Sequence, residues 1–262
     1  MRRRLLFWFL FYGLCPMIFI GCETEYNSAL HRQETLLYGD EKEKSLGASL
    51  ALSIEKTVKI DTDVDINERV QKILKKIVAV CDRKELVYTI RVIDEDVMNA
   101  FSLPGGYIYI YKGLIDKMDN DDQLAGVIGH EVGHVVAKHA LKRLQAAYGT
   151  TILEAAAIAS SQGALAAGID LTASSVFFLN SREDEFQADR LGVKYMKLAG
   201  YDPKQMKVML VKLLKEQNKK GPQPMAYWRT HPYIPLRIAR VDQEINGKDQ
   251  FKDYLNLTGE DR

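Results

Sequence analysis

Nothing in this chain repeats. No unit of twenty to fifty residues recurs, no heptad register runs along it, and no low-complexity tract interrupts it. Solenoids, propellers and long coiled coils are therefore set aside. Charge of one sign is missing too: 36 Lys and Arg stand against 35 Asp and Glu, a formal net of +1. The electrostatic footprint of a nucleic-acid binder is absent. Cysteine is scarce, at Cys15, Cys22 and Cys81. Cys15 lies in an apolar leader, and if Cys22 is modified only Cys81 remains, so no intramolecular disulfide staples the domain. The apolar run from Leu5 to Ile20 is short for a spanning helix and is interrupted by Pro16.

What is present is ordinary globular composition, 47% hydrophobic and 27% charged over 262 residues. That suits one large domain or two small ones. The leader has the form of an export signal: Arg2, Arg3 and Arg4 precede the apolar run, and Gly21-Cys22 follows it. Phe19-Ile20-Gly21-Cys22 resembles a bacterial lipobox, with Phe19 where Leu is usual. The expectation is a signal peptide over 1–21, lipidation at Cys22, a polar tether over 22–40, a folded domain over 41–250 and a tail over 251–262. The alternative is an uncleaved membrane anchor. Either way the domain is expected in the cell envelope. Glu23 after the cysteine points toward the periplasmic face of the outer membrane, the inner membrane being the lesser expectation.

Periodicity predicts helices over 41–58 and 64–81, the second carrying Val70, Ile73, Leu74, Ile77 and Val78 at helical spacing. The β-branched stretch 87–93 reads as a strand, Asn99–Ser102 as a second and Tyr107–Tyr111 as a third, with a turn at Leu103-Pro104-Gly105-Gly106. Asn120-Asp121-Asp122-Gln123 supplies a helix start, and the helix is expected to run from about 121 to 148. Ala-rich residues 150–168 read either as a close-packed helix or as a lid with Gly163 and Gly168 as bends. Further helices are expected over 174–199, 203–217 and 235–246, the first ending at Gly200. The fold class is α+β: a mostly helical domain with a small antiparallel or mixed sheet beside the central helix.

That helix carries a contradiction. In VIGHEVGHVVAKH, residues 127–139, greasy and small residues surround His130, Glu131 and His134, which are costly to bury without partners. Four residues apart, His130 and His134 share one helix face. Two imidazoles so placed can hold one Zn²⁺ at about 2.0–2.1 Å each. Glu131, turned about 100° away, suits a general base rather than a ligand. A catalytic zinc needs a third protein ligand, and Glu185 in Glu185-Phe186-Gln187-Ala188-Asp189 offers one. Glu185, Ala188, Asp189 and Gly192 line one face of the predicted helix. Small residues there and at Gly133 and Ala137 permit close approach, which would bring Glu185 to the histidines. Asp189, one turn on, is placed to accept a hydrogen bond from a ligand imidazole. His139, nine positions from His130, falls on roughly the opposite side of a continuous helix, and His31 lies in the polar stretch. Neither is assigned chemistry.

HEVGH, NSREDEFQADRLG and RTHP, with NAFSLPGGYIYIYKGL upstream, resemble the gluzincin metallopeptidases of the HtpX and CAAX prenyl protease group. The periplasmic branch of BepA and LoiP fits best. The resemblance covers roughly residues 40–245. It implies His130, His134 and Glu185 as zinc ligands, Glu131 as base and Asp189 behind a ligand. It adds His231, a family histidine near the metal, either as a fourth ligand that keeps the enzyme latent or as an aid to the oxyanion. Arg237 and Arg182 match family arginines of less defined role. The implied reaction is endopeptidase cleavage of unfolded or misassembled envelope polypeptides, with one zinc per chain. Contact with the outer-membrane protein assembly machinery is a further implied partnership. Substrate would lie extended along Asn99, Ala100, Phe101 and Ser102 as an added strand, unless these form only an ordinary sheet strand. A competing class is a non-proteolytic zinc-bound chaperone or assembly factor, which would have no use for Glu131.

Overall fold

The computed structural model describes residues 23–27, 29–147, 180–220 and 226–246. Cys22, the leader over 1–21, the Ala-rich stretch 150–168, residues 174–179 and the tail 251–262 lie outside these. The elements in chain order are strands β1 (Glu23–Asn27) and β2 (Arg32–Leu36), helices α1 (Asp40–Glu55) and α2 (Val64–Val78), and strands β3 (Thr89–Ile93), β4 (Ala100–Ser102) and β5 (Tyr107–Tyr111). Helices α3 (Lys112–Ile115), α4 (Asp121–Val136), α5 (Arg182–Leu198), α6 (Lys204–Lys220), α7 (Tyr227–Thr230) and α8 (Ile234–Asn246) follow. Among the described residues no helix is long and apolar enough to cross a membrane.

The three-stranded sheet is mixed, in the order β3-β5-β4. Strand β5 runs parallel to β3 with Ile108 beside Ile90, and antiparallel to β4 with Tyr109 opposite Phe101. The alternation in Tyr107–Tyr111 divides its side chains between two apolar clusters, as the period of two in a strand requires. Ile108 and Ile110 enter the main core beneath α2 and α4. Tyr109 and Tyr111 join Phe101, Ile93 and Ala51 in a smaller cluster covered by α1. Strand β4 is thereby left as an edge.

Helix α4 is the centre of the molecule. Asn120 caps it, its side chain accepting from the Gln123 amide at 2.9 Å. Every residue from Gln123 to Val136 is buried, as expected of a helix without a solvated face. Its tightest neighbour is α5, whose own start is a capping box at Ser181 and Asp184. At Gly133 the two backbones touch: a Cβ there would sit 2.8 Å from the Ala188 carbonyl oxygen.

Two expectations about this region are corrected. The helix predicted over 121–148 breaks after Val136. Lys138 takes a left-handed conformation, φ 56°, and a second helical segment occupies 139–147. Lysine is a good helix former, so propensity gives no warning. Tertiary contacts impose the break: the buried Lys138 ammonium reaches Asp40 Oδ1 at 2.9 Å and Glu43 Oε2 at 3.8 Å. The carbonyls freed at the helix end are met from elsewhere, as buried helix ends require. Arg83 Nη1 donates to Val135 O at 3.2 Å, Asn27 Nδ2 to Val136 O at 3.4 Å and Lys142 Nζ to Ala137 O at 2.7 Å. The second correction follows from Asn27. Residues 22–40, expected as a polar tether, contain the β1–β2 hairpin instead. Its polar residues are absorbed internally, Glu34 pairing with Arg32 and Lys142 at 2.7 Å each.

Contact at Gly133 sets up a test. A mid-helix glycine-to-alanine change ordinarily gains up to about 1 kcal/mol in propensity. At Gly126, where a Cβ would meet Met206 no closer than 3.4 Å, Gly126→Ala is expected to be neutral or stabilising. At Gly133 the backbone of α5 must move, and Gly133→Ala is expected to cost about 1–3 kcal/mol. Urea unfolding of both variants measures the difference.

Candidate metal centre

Helices α4 and α5, with the loop after α7, bring four side chains to one point. Ligand atoms of His130, His134, Glu185 and His231 all lie within 4.8 Å of one another, and all four residues are buried. His130 Nε2 is 3.0 Å from His134 Nε2 and 3.2 Å from His231 Nδ1. Glu185 places Oε1 3.3 Å from His134 Nε2 and Oε2 3.5 Å from His130 Nε2. Donors at about 2.0–2.1 Å from a tetrahedral ion lie roughly 3.3 Å apart. The donor set thus fits a tetrahedral divalent cation, with three nitrogens and one carboxylate.

Each imidazole is oriented by its other nitrogen. His130 Nδ1 donates to Asp189 Oδ1 at 2.8 Å. His134 Nδ1 meets His139 Nδ1 at 2.8 Å. His231 Nε2 donates to the Ala100 carbonyl at 3.1 Å, which leaves Nδ1 toward the centre. Tyr227 stacks on the His231 ring, centroids 4.3 Å apart and planes at 20°. Asn180 Nδ2 donates to Thr230 O at 3.1 Å and approaches His231 Nδ1 at the same distance.

Arg237 balances the charges. Wholly buried, it forks onto Asp189, Nε to Oδ2 and Nη2 to Oδ1 at 2.7 Å each, and meets Glu185 Oε2 through Nη1 at 2.6 Å. Burial pushes both carboxyls up, but Arg237 outweighs it, and Glu185 is held well below the ordinary carboxylate range. Burial, with His130 alongside, pushes His134 well down and keeps it a neutral donor of electrons. For His231, burial is overcome by Glu185 and Glu131, which raise it. Both carboxylate oxygens of Glu131 are buried without a hydrogen-bond partner among the described residues. They border a small cavity of about 10 Å³, roughly the room one water needs. Phe101, Ser102, His134, Arg143, Asn180, Thr230 and His231 complete its lining.

The sequence-derived site residues divide accordingly. His130, Glu131, His134, Glu185, Asp189, His231 and Arg237 stand together. Phe101 and Ser102 reach the cavity. Asn99 and Ala100 do not. Asn99 Oδ1 instead accepts from Thr230 Oγ1 at 3.0 Å, and Ala100 O takes the His231 bond. Arg182 lies outside, exposed on the first turn of α5 with its guanidinium 5.4 Å from the Tyr233 ring. His139, left unassigned by the sequence, belongs to the centre. The break at Lys138 turns it back toward His134, and burial pushes its imidazole down to about 4 against the pull of Asp184. Tyr227 and Asn180 also escaped. Asn180 opens the NSREDE motif and could have been found there, whereas Tyr227 carries no spacing signal.

Loss of Arg237 leaves two buried carboxylates facing each other without a cation. Arg237→Met is expected to cost the metal-free protein about 3–5 kcal/mol at neutral pH. Because the folded-state values of Glu185 and Asp189 are depressed, that contribution is present above the ordinary carboxylate values of 4.5 and 3.8 and fades as pH falls through the depressed ones. The gap between wild type and variant in urea unfolding should therefore narrow below about pH 4.

Comparison with known proteins accords with this arrangement. The profile of peptidase family M48 matches residues 65–245. Mitochondrial metalloendopeptidase OMA1 of Schizosaccharomyces pombe is 30% identical over 200 residues, 72% of this chain and 57% of that protein. The beta-barrel assembly-enhancing protease of Escherichia coli is 28% identical over 180 residues, 64% of this chain and 36% of that one. The Arabidopsis thaliana OMA1 is 33% identical over 149 residues, 55% and 29% respectively. The chain thus matches between 29% and 57% of these relatives' lengths. With the family profile spanning most of the chain and both helices that carry the cluster, this protein belongs to peptidase family M48.

Proposed function

We propose that this chain is a membrane-tethered zinc endopeptidase that cleaves unfolded or misassembled polypeptides of the cell envelope. One observation carries the reading: Glu131, a buried carboxylate 3.5 Å from His231 Nε2 and without a hydrogen bond among the described residues, stands beside two imidazoles and a second carboxylate that converge on one point. A structural metal needs the ligands but not that carboxylate, so the chaperone alternative leaves Glu131 without a purpose.

His130, His134 and Glu185 would hold the zinc. When bound, zinc supplies the Lewis acidity that brings a water's pKa toward ~7. Glu131 takes the proton from the attacking water and delivers it to the leaving amine. Asp189 and Arg237 fix His130 and Glu185 in place. His231 fits the fourth position through Nδ1, which favours the latent-ligand role over the oxyanion role in this arrangement. The tight cavity supports the same reading, because a polypeptide needs that loop displaced before it can reach Glu131. An extended substrate would then pair with the outer edge of β4, where Ala100 and Ser102 face away from β5. Backbone pairing recognises flexible chains with little regard for sequence, which suits clearance of misfolded protein.

Tethering rests on the lipobox-like segment ending at Cys22. Contact with an assembly machinery draws support from the E. coli relative, which is named for enhancing beta-barrel assembly. The likeness to mitochondrial relatives is of equal strength, so the branch within the family is proposed from the leader.

Four experiments test this. Purified wild type is expected to carry one zinc per chain and to cleave casein or misfolded porin. Glu131→Gln should keep the zinc and lose at least ~100-fold in turnover; undiminished cleavage would remove the protease reading. His231→Ala should raise turnover, and a fall would assign the ring to the oxyanion instead. In cells, Cys22→Ala should move the protein from the membrane to the soluble fraction.

A further inference from the structure

His139 is a buried titratable group that the reaction above does not use. Its ring lies edge-on to His134, centroids 4.9 Å apart and planes at 72°. Nδ1 of one ring meets Nδ1 of the other at 2.8 Å. Two nitrogens at that distance share one proton, and the question is which ring supplies it. The far side of His139 decides. Nε2 faces Gln187 Oε1 at 3.1 Å and Asp184 Oδ1 at 3.4 Å. A carboxylate only accepts, so the proton of neutral His139 belongs on Nε2 whichever way the Gln187 amide is turned. Asp184 is itself fixed, since its other oxygen accepts from the Ser181 amide at 3.2 Å in the capping box that starts α5.

With Nε2 protonated, His139 Nδ1 presents a lone pair. His134 must then donate from its own Nδ1, and its Nε2 is left bare toward His130 and Glu185. Resting on the zinc reading above, we infer that His139 is a positioning residue: a neutral imidazole relay from Gln187 and Asp184 that fixes the tautomer of His134 and aims its Nε2 at the metal. His130 gets the same service from a carboxylate, Asp189. The difference is in charge. A neutral acceptor at 139 orients the ligand without adding another anion to a buried site that already holds Glu131, Glu185 and Asp189. The device depends on the left-handed turn at Lys138, because on an unbroken helix residue 139 would point away from residue 134.

The test uses the purified full chain and zinc alone, with affinity read by competition against a chromophoric chelator. His139→Phe keeps the ring and removes the acceptor, and should weaken zinc binding about 10–100-fold. His139→Asn restores a neutral acceptor at the position of Nδ1, and should bind zinc nearly as wild type does. Equal losses in both variants, or no loss in His139→Phe, would overturn the relay while leaving the metallopeptidase reading in place. Wild type that binds no zinc would overturn both. Should the variants fail to fold, ¹⁵N imidazole spectra of wild type decide the matter. Proton on Nε2 of His139 and on Nδ1 of His134 is expected, and a proton on Nδ1 of His139 would end the proposal.

Discussion

The close contact of two helix backbones at Gly133 and Ala188 is the constraint on which the rest depends. It sets the distance between a pair of imidazoles on one helix and a pair of carboxylates on the other. Nothing larger than hydrogen fits at residue 133. Close approach then forces several lone pairs and charges into a dry space. Glu185 and Asp189 meet Arg237 there, and Glu131 lines the adjoining cavity with Arg143. A divalent cation would offset these carboxylates further, which makes such a group tolerable in the interior. Arg237 is the permanent part of that balance and the metal the exchangeable part.

The surrounding fold reads as a set of clamps on these helices. Helix α4 ends abruptly because the left-handed Lys138 stops it, and side chains from the β1–β2 hairpin, the loop after α2 and the following helical segment take up its last carbonyls. Ion pairing among Arg83, Glu43 and Asp40 ties the start of α1 to the same place. On the other flank, Asn99, Asn180 and Tyr227 hold the loop that carries His231. Every ligand side chain therefore has a second partner that constrains its direction, the arrangement a precise site requires.

Much of this was legible in the residues. The helix starts at Asn120, the four-residue spacing of His130 and His134, and the small face of Glu185, Ala188, Asp189 and Gly192 are local patterns with local physical causes. So is the alternation of Tyr107–Tyr111, which marks a strand, in a sheet whose mixed pairing is one of the two arrangements expected. What escaped was set by distant contacts. A lysine gives no sign that an ion pair will hold it in a left-handed turn, so periodicity alone predicts an unbroken helix with His139 on the side away from His130. The hairpin over 23–36 was hidden by polar composition, because its charges are satisfied internally rather than by water. Arg237 matched a family residue without a role, and only three-dimensional proximity to Asp189 and Glu185 supplies one.

Under the proposed function, the bond from His231 Nε2 to the Ala100 carbonyl has a consequence for selection of targets. That carbonyl lies on the strand edge an incoming peptide would use, so ring and peptide contend for a single acceptor. A folded protein offers no free backbone and leaves the ring seated. A slack chain can offer its own donors to that carbonyl in place of the ring. Discrimination between sound and damaged proteins can then arise as a threshold in available backbone, with no side-chain recognition at all.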